Sequence, residues 1–140
     1  MVSMEESLAY ICRLFSINIL YSYGSRSIEV KEFLAGKRDV LDDSESDLDI
    51  GAKLIPQVHI TIKEKVRLTE ELEVLFRHNR VDLAFFHEVD PFVAANIVRG
   101  ERLYCRDTVK ADEFDLYILR RAGDLISLER EREALILGEE

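Results

Sequence analysis

Asp47-Leu48-Asp49 carries two carboxylates one residue apart, downstream of the dipeptide Gly24-Ser25. Side chains alternate across a strand with period two, so on an apolar strand both acids face one way, about 7 Å apart along the backbone. At that spacing they can grip hard cations, while Leu48 and Ile50 turn to the buried face. Gly24-Ser25 follows a strand expected over residues 17–23, and a turn there offers backbone N–H groups to phosphate oxygens. Asp82, inside Val81-Asp82-Leu83-Ala84-Phe85-Phe86, is a third acid in an otherwise apolar run. Burying it unpaired would be costly, so it points to solvent, caps something or serves a site.

Each piece has a plainer reading. Asp-X-Asp is frequent on solvated strand edges, and Gly-Ser is frequent in turns. The conjunction carries the argument. If the Asp82 strand lies beside the Asp47–Asp49 strand, three carboxylates meet. Such a trio would hold two Mg²⁺ ions, each keeping positions for water and phosphate, with the metals about 4 Å apart for an in-line displacement. Gly24 and Ser25 would then fix the β and γ phosphates of a nucleoside triphosphate, with Arg26 adding positive charge.

Elements must place these residues. Leu8, Ile11, Cys12 and Phe15 repeat at helical spacing over residues 5–15, with Asn18 expected to end that helix. Residues 26–45 are rich in charged and small side chains and read as a long connection with about one helical turn. Residues 47–54 read as the second strand and end near Pro56. Residues 61–79 form an amphipathic helix, although residues 58–62 also suit a strand. Residues 81–86 make a third strand. Asp90 caps a helix with Pro91 at its first position, running to Gly100. Residues 102–105 suit a short strand, and the closing helix spans roughly 109–137, interrupted only by Gly123.

Bulk properties narrow the field. A chain of 140 residues with 47% hydrophobic side chains makes one domain with a core. The net charge of −9 argues against binding extended nucleic acid, where a basic face supplies the affinity. Cys12 and Cys105 lack metal or disulfide spacing and fit free thiols in a reducing cytoplasm. Glu5, Glu6 and Arg13 interrupt the first apolar stretch, so neither a signal peptide nor a membrane span is expected.

Other constellations fall away. In Asp43-Ser44-Glu45-Ser46-Asp47-Leu48 the leucine occupies the glycine position of a calcium loop. His59, His78 and His87 share no face and read as surface or helix-end residues. Arg120-Arg121 and Arg130-Glu131-Arg132-Glu133 read as a solvated helix face or a docking surface.

The ordered set Gly24-Ser25, Ser46-Asp47-Leu48-Asp49 and Val81-Asp82-Leu83 resembles the minimal nucleotidyltransferase (MNT) family, small members of the DNA polymerase β-like superfamily. Asp90-Pro91-Phe92, the run Ile97 to Tyr104, and Tyr117 to Asp124 in the closing helix extend the likeness over nearly the whole chain. The resemblance implies an α+β (α/β) fold: a small mixed sheet with helices packed on one side and a long C-terminal helix, as one domain over residues 1–140. It implies that Asp47, Asp49 and Asp82 are catalytic and bind Mg²⁺, and that Gly24, Ser25, Arg26 and Ser46 contact the nucleotide. Many members are antitoxins of HEPN-domain toxins and transfer AMP from ATP to a toxin tyrosine. That activity and that partner are the leading expectation. Neutralisation by binding alone and transfer to a small-molecule hydroxyl are the alternatives, and self-association stays open. About twice the family's usual number of residues separates Gly-Ser from Asp-X-Asp here, which surface loops tolerate.

Overall fold

A computed structural model describes residues 2–41 and 46–138. Among them the order is α1 (Met4–Leu14), β1 (Ile17–Tyr23), α2 (Ser27–Leu34), β2 (Leu48–Leu54), α3 (Ile62–Phe76), β3 (Val81–Phe85), α4 (Pro91–Val98), β4 (Glu101–Cys105) and α5 (Thr108–Leu137). The strands form one mixed sheet in the order β3-β2-β1-β4. β1 runs antiparallel to β2 and β4, and β2 runs parallel to β3. A parallel pair needs a crossover, and α3 supplies it.

The pleat divides the core. Leu20 on β1 and Leu48, Ile50 and Ala52 on β2 pack with Leu8, Ile11 and Cys12 of α1, Val30 and Phe33 of α2, and Leu68, Leu72 and Phe76 of α3. Ile19 and Tyr21 point to the opposite face, against Ile97 of α4 and Ala111 of α5. The expectation of helices on one side thus describes α1 to α3, while α4 and the start of α5 cover the other face. Gly51 permits this second layer, because a Cβ there would lie 2.4 Å from Ile97 Cγ2. Ala94 and Ala95 of α4 meet Ile118 and Ala122 of α5, and such small residues let helix backbones approach closely.

Local signals set most boundaries. Thr61 and Glu64 form a reciprocal capping box at α3, which excludes the strand reading of residues 58–62. Asp90 accepts hydrogen bonds from the Phe92 and Val93 amides, with Pro91 opening α4. Asp107 caps α5, which continues through Gly123 without a break. Three expectations are corrected. Asn18 does not end α1: the helix stops at Leu14, Ser16 takes a left-handed φ of 56°, and Asn18 lies inside β1 where the register slips. The 26–45 connection contains α2, two turns rather than one, because Val30, Phe33 and Leu34 share a buried stripe. β2 begins at Leu48, so Asp47 precedes it. The acidic run at residues 42–45 lies outside the described residues.

Candidate nucleotide and metal site

β1, β2 and β3 bring the expected acids together by register. On β2, Asp49 pairs across to Tyr23 on β1 and to Asp82 on β3. Residues in direct register share a face, so Tyr23, Asp49 and Asp82 form a row across three strands. Asp47 lies two residues ahead of Asp49 at the mouth of β2, where the Leu48 amide donates to the Arg80 carbonyl at 2.8 Å. Asp47 and Asp82 are exposed and Asp49 is half-buried. Burial first, then the charges of Asp82 and Asp47, raise the Asp49 carboxyl above the ordinary carboxylate range. The same burial, with Asp49 and Asp82, raises the Tyr23 phenol. Sequence reasoning missed Tyr23 as a site residue. Its signal was its place immediately before Gly24, on the strand whose register delivers it beside Asp49.

Gly24 abuts this row for two physical reasons. Its φ is +77°, and a Cβ would sit 2.4 Å from Asp49 Oδ2. The turn that follows is held by the Ser27 amide donating to the Gly24 carbonyl at 3.3 Å and by Ser22 Oγ donating to the Ser27 carbonyl at 2.9 Å. Gly24 and Ser25 are exposed, and α2 starts at Ser27 with no side-chain cap among the described residues. First-turn amides of a helix have no intrahelical acceptor, so this turn offers donors beside the acids.

Arg26, expected to contact the nucleotide, is buried and its guanidinium is engaged by protein groups. Nε and Nη2 donate to both oxygens of Glu29 at 3.0 and 2.8 Å. Nη1 donates to the Ser46 carbonyl and to His78 Nε2, each at 2.9 Å. A charge committed this fully ties α2, the entry to β2 and the end of α3 together. Ser46 therefore takes part through its backbone, and its exposed side chain lies one residue before Asp47. His78, expected at a surface or helix end, follows α3 but is buried in this network.

Hard oxygen donors around a half-buried, mutually repelling carboxylate fit a divalent cation such as Mg²⁺, which takes one or two carboxylates and completes its shell with water and phosphate. Among the described residues no group of three or more His, Cys, Asp or Glu side chains is arranged to hold a metal ion. No helix among them is long and apolar enough to cross a membrane.

No family model matches the chain, and no curated protein matches it significantly in sequence. Solved structures do match over nearly the full length. A chain of a toxin–antitoxin complex with AMP-PNP superposes with a TM-score of 0.64 at 17% identity, covering 94% of each chain. A complex of tri-AMPylated Shewanella oneidensis HEPN toxin with MNT antitoxin gives 0.59 at 18% identity, covering 95% of this chain and 92% of the other. The MntA–HepT toxin–antitoxin pair gives 0.57 at 15% identity, covering 95% and 93%. At these identities the likeness establishes a common fold with these toxin–antitoxin chains, here a mixed sheet with a long final helix.

Proposed function

We propose that the chain is a metal-dependent nucleotidyltransferase that moves AMP from ATP to a tyrosine hydroxyl of a HEPN-type toxin and thereby acts as its antitoxin. The observation that carries this reading is the register that sets Asp49 beside Asp82 with Gly24 against the Asp49 carboxylate. The fold shared with MNT antitoxins in complex with HEPN toxins supports the choice of partner.

In this reading Asp47, Asp49 and Asp82 hold Mg²⁺, which supplies Lewis acidity and neutralises charge on the triphosphate. The Gly24-Ser25 amides, the Ser25 hydroxyl and the uncapped first turn of α2 bind the outer phosphates. The acceptor tyrosine oxygen attacks the α-phosphorus, a new O–P bond forms, and the bond to pyrophosphate breaks. Asp82, exposed at the edge of the row, takes the phenolic proton in this reading. Tyr23 flanks Asp49 on the other side and limits how the nucleotide can lie.

The test is transfer of label from α-labelled ATP and Mg²⁺ to a co-purified HEPN partner. Label on the partner that disappears with Asp47→Asn and Asp49→Asn is the expected result. A stable complex with no label from the wild type would favour the second reading, neutralisation by contact. What favours that reading is the far half of α5, where Leu128, Leu135, Ile136 and Leu137 are 60–77% exposed.

A further inference from the structure

The face that carries the acids has a second recess at its other end. Asp49, Gly51 and Lys53 alternate along β2, so Lys53 lies on the same face as Asp49, about 13 Å further along the strand. Between them, Ile97 of α4 closes over Gly51 and is itself fully buried. The recess beyond, of about 450 Å³, is bounded by β2, the segment leading to α3, and α5. Lys53, His59, His87 and Arg121 line it together with Phe114 and Tyr117.

The charge of this lining is unusual for the chain. The protein carries a net −9, yet among the described residues no Asp or Glu lines the recess. Lys53 Nζ rests 5.1 Å from the centre of the Phe114 ring and, among the described residues, makes one long hydrogen bond, 3.4 Å, to the Leu54 carbonyl. Neither Lys53 nor Arg121 has a carboxylate partner among the described residues, while His87 lies 3.4 Å from Glu88. Burial lowers the Lys53 pKa, as expected for an ammonium whose water has been replaced by a ring and aliphatic chain. A volume of this size suits a small ligand. One-signed cations beside aromatic faces suit an anion attached to a flat ring system.

We infer that this recess binds an adenylyl group, with its phosphate on Lys53 and Arg121 and its base against Tyr117 and Phe114. The inference deepens the function proposed above and rests on it for the choice of adenylyl over other aromatic phosphates. The group has two sources of the same chemistry: free AMP, or AMP already attached to a tyrosine of the partner. A transferred group parked there would leave the acid row open for the next turnover.

Calorimetric titration with AMP, without Mg²⁺, tests it on the intact chain. Wild type and Asp49→Asn should bind AMP equally. Lys53→Gln and Arg121→Gln should each weaken binding at least tenfold while unfolding at the wild-type temperature, Arg121 being exposed at the rim. A peptide carrying adenylylated tyrosine that binds tighter than AMP identifies the modified partner as the source, and the reverse order identifies free AMP. Binding lost in Asp49→Asn but kept in Lys53→Gln and Arg121→Gln overturns the inference, as does no binding at millimolar AMP. AMP binding that persists when labelled transfer fails would remove the proposed reaction and leave the recess standing.

Discussion

Arg26 and Asp49 both hold charge away from full solvent beside the same turn, and they are treated in opposite ways. Arg26 has every direction of its guanidinium answered, by both oxygens of Glu29, by the Ser46 carbonyl and by His78. Asp49 is surrounded by more negative charge, with Asp82 across the parallel pair and Asp47 before it. A buried charge without a partner is costly, and folding alone would not select it. The matched cluster is scaffold: it fixes where α2 begins and where the chain enters β2. The mismatched row is where a cation and a phosphate would restore balance. Under the function proposed above, the satisfied charges position the site and the unsatisfied ones act in it.

The largest expected effect separates the two regions directly. Asp49→Asn should reduce labelled AMP transfer by at least about 10²-fold, the scale for removing a group that stabilises charge in a transition state. The folded protein should lose no stability, since the variant relieves repulsion. A melting temperature several degrees lower than wild type would break the comparison and return Asp49 to the scaffold. Arg26→Ala should behave inversely. Removing one partner of a buried pair costs about 3 kcal/mol, here read by urea unfolding, because Glu29, the Ser46 carbonyl and His78 lose the guanidinium that joins them. ATP binding by the folded fraction should be unchanged. Unaltered stability with weakened ATP binding would restore Arg26 as a phosphate ligand.

The same division explains what could be read from the chain. Residue type and spacing announced the strands around Asp49 and Asp82, the cap at Asp90 and the closing helix, because each signal is local. α2 was hidden: its stripe of Val30, Phe33 and Leu34 is short and lies among lysines and glutamates, and its burial is decided by β1 and β2. The fate of Arg26 was hidden for a related reason. Its neighbours Ser46 and His78 are 20 and 52 residues away, and nothing local distinguishes a guanidinium aimed at phosphate from one folded back on Glu29. Tyr23 became a site residue only through register, which depends on how three strands align. The second layer of helices was likewise set by a distant contact, Ile97 against Gly51.

Gly24→Ala probes the boundary between the regions with a smaller effect. A left-handed backbone costs an alanine about 1–2 kcal/mol, and the new methyl would meet Asp49 Oδ2. Stability should fall by about that amount in denaturant unfolding. Transfer activity should fall further than stability predicts, because the carboxylate must move. Activity that tracks only the folded fraction would mean that the Asp49 position is not tuned by this turn.

The smallest effect reads the repulsion itself. The folded Asp49 carboxyl titrates above its ordinary value of 3.8, so the folded state holds this proton more tightly than the unfolded chain does. Its penalty is absent below the ordinary carboxylate pKa, appears as pH rises from there, and is complete above the raised folded value. Asp49→Asn removes the penalty, so its stability advantage should be present near neutral pH and fade as pH falls towards 3.8. Asp49 is only half-buried and solvent screens it, which keeps the advantage to about 0.5 kcal/mol. Mg²⁺ should narrow the difference at neutral pH by stabilising the wild type and not the variant, through binding to the folded state alone. An advantage independent of pH across that window would show that Asn improves packing and that the acids do not repel one another.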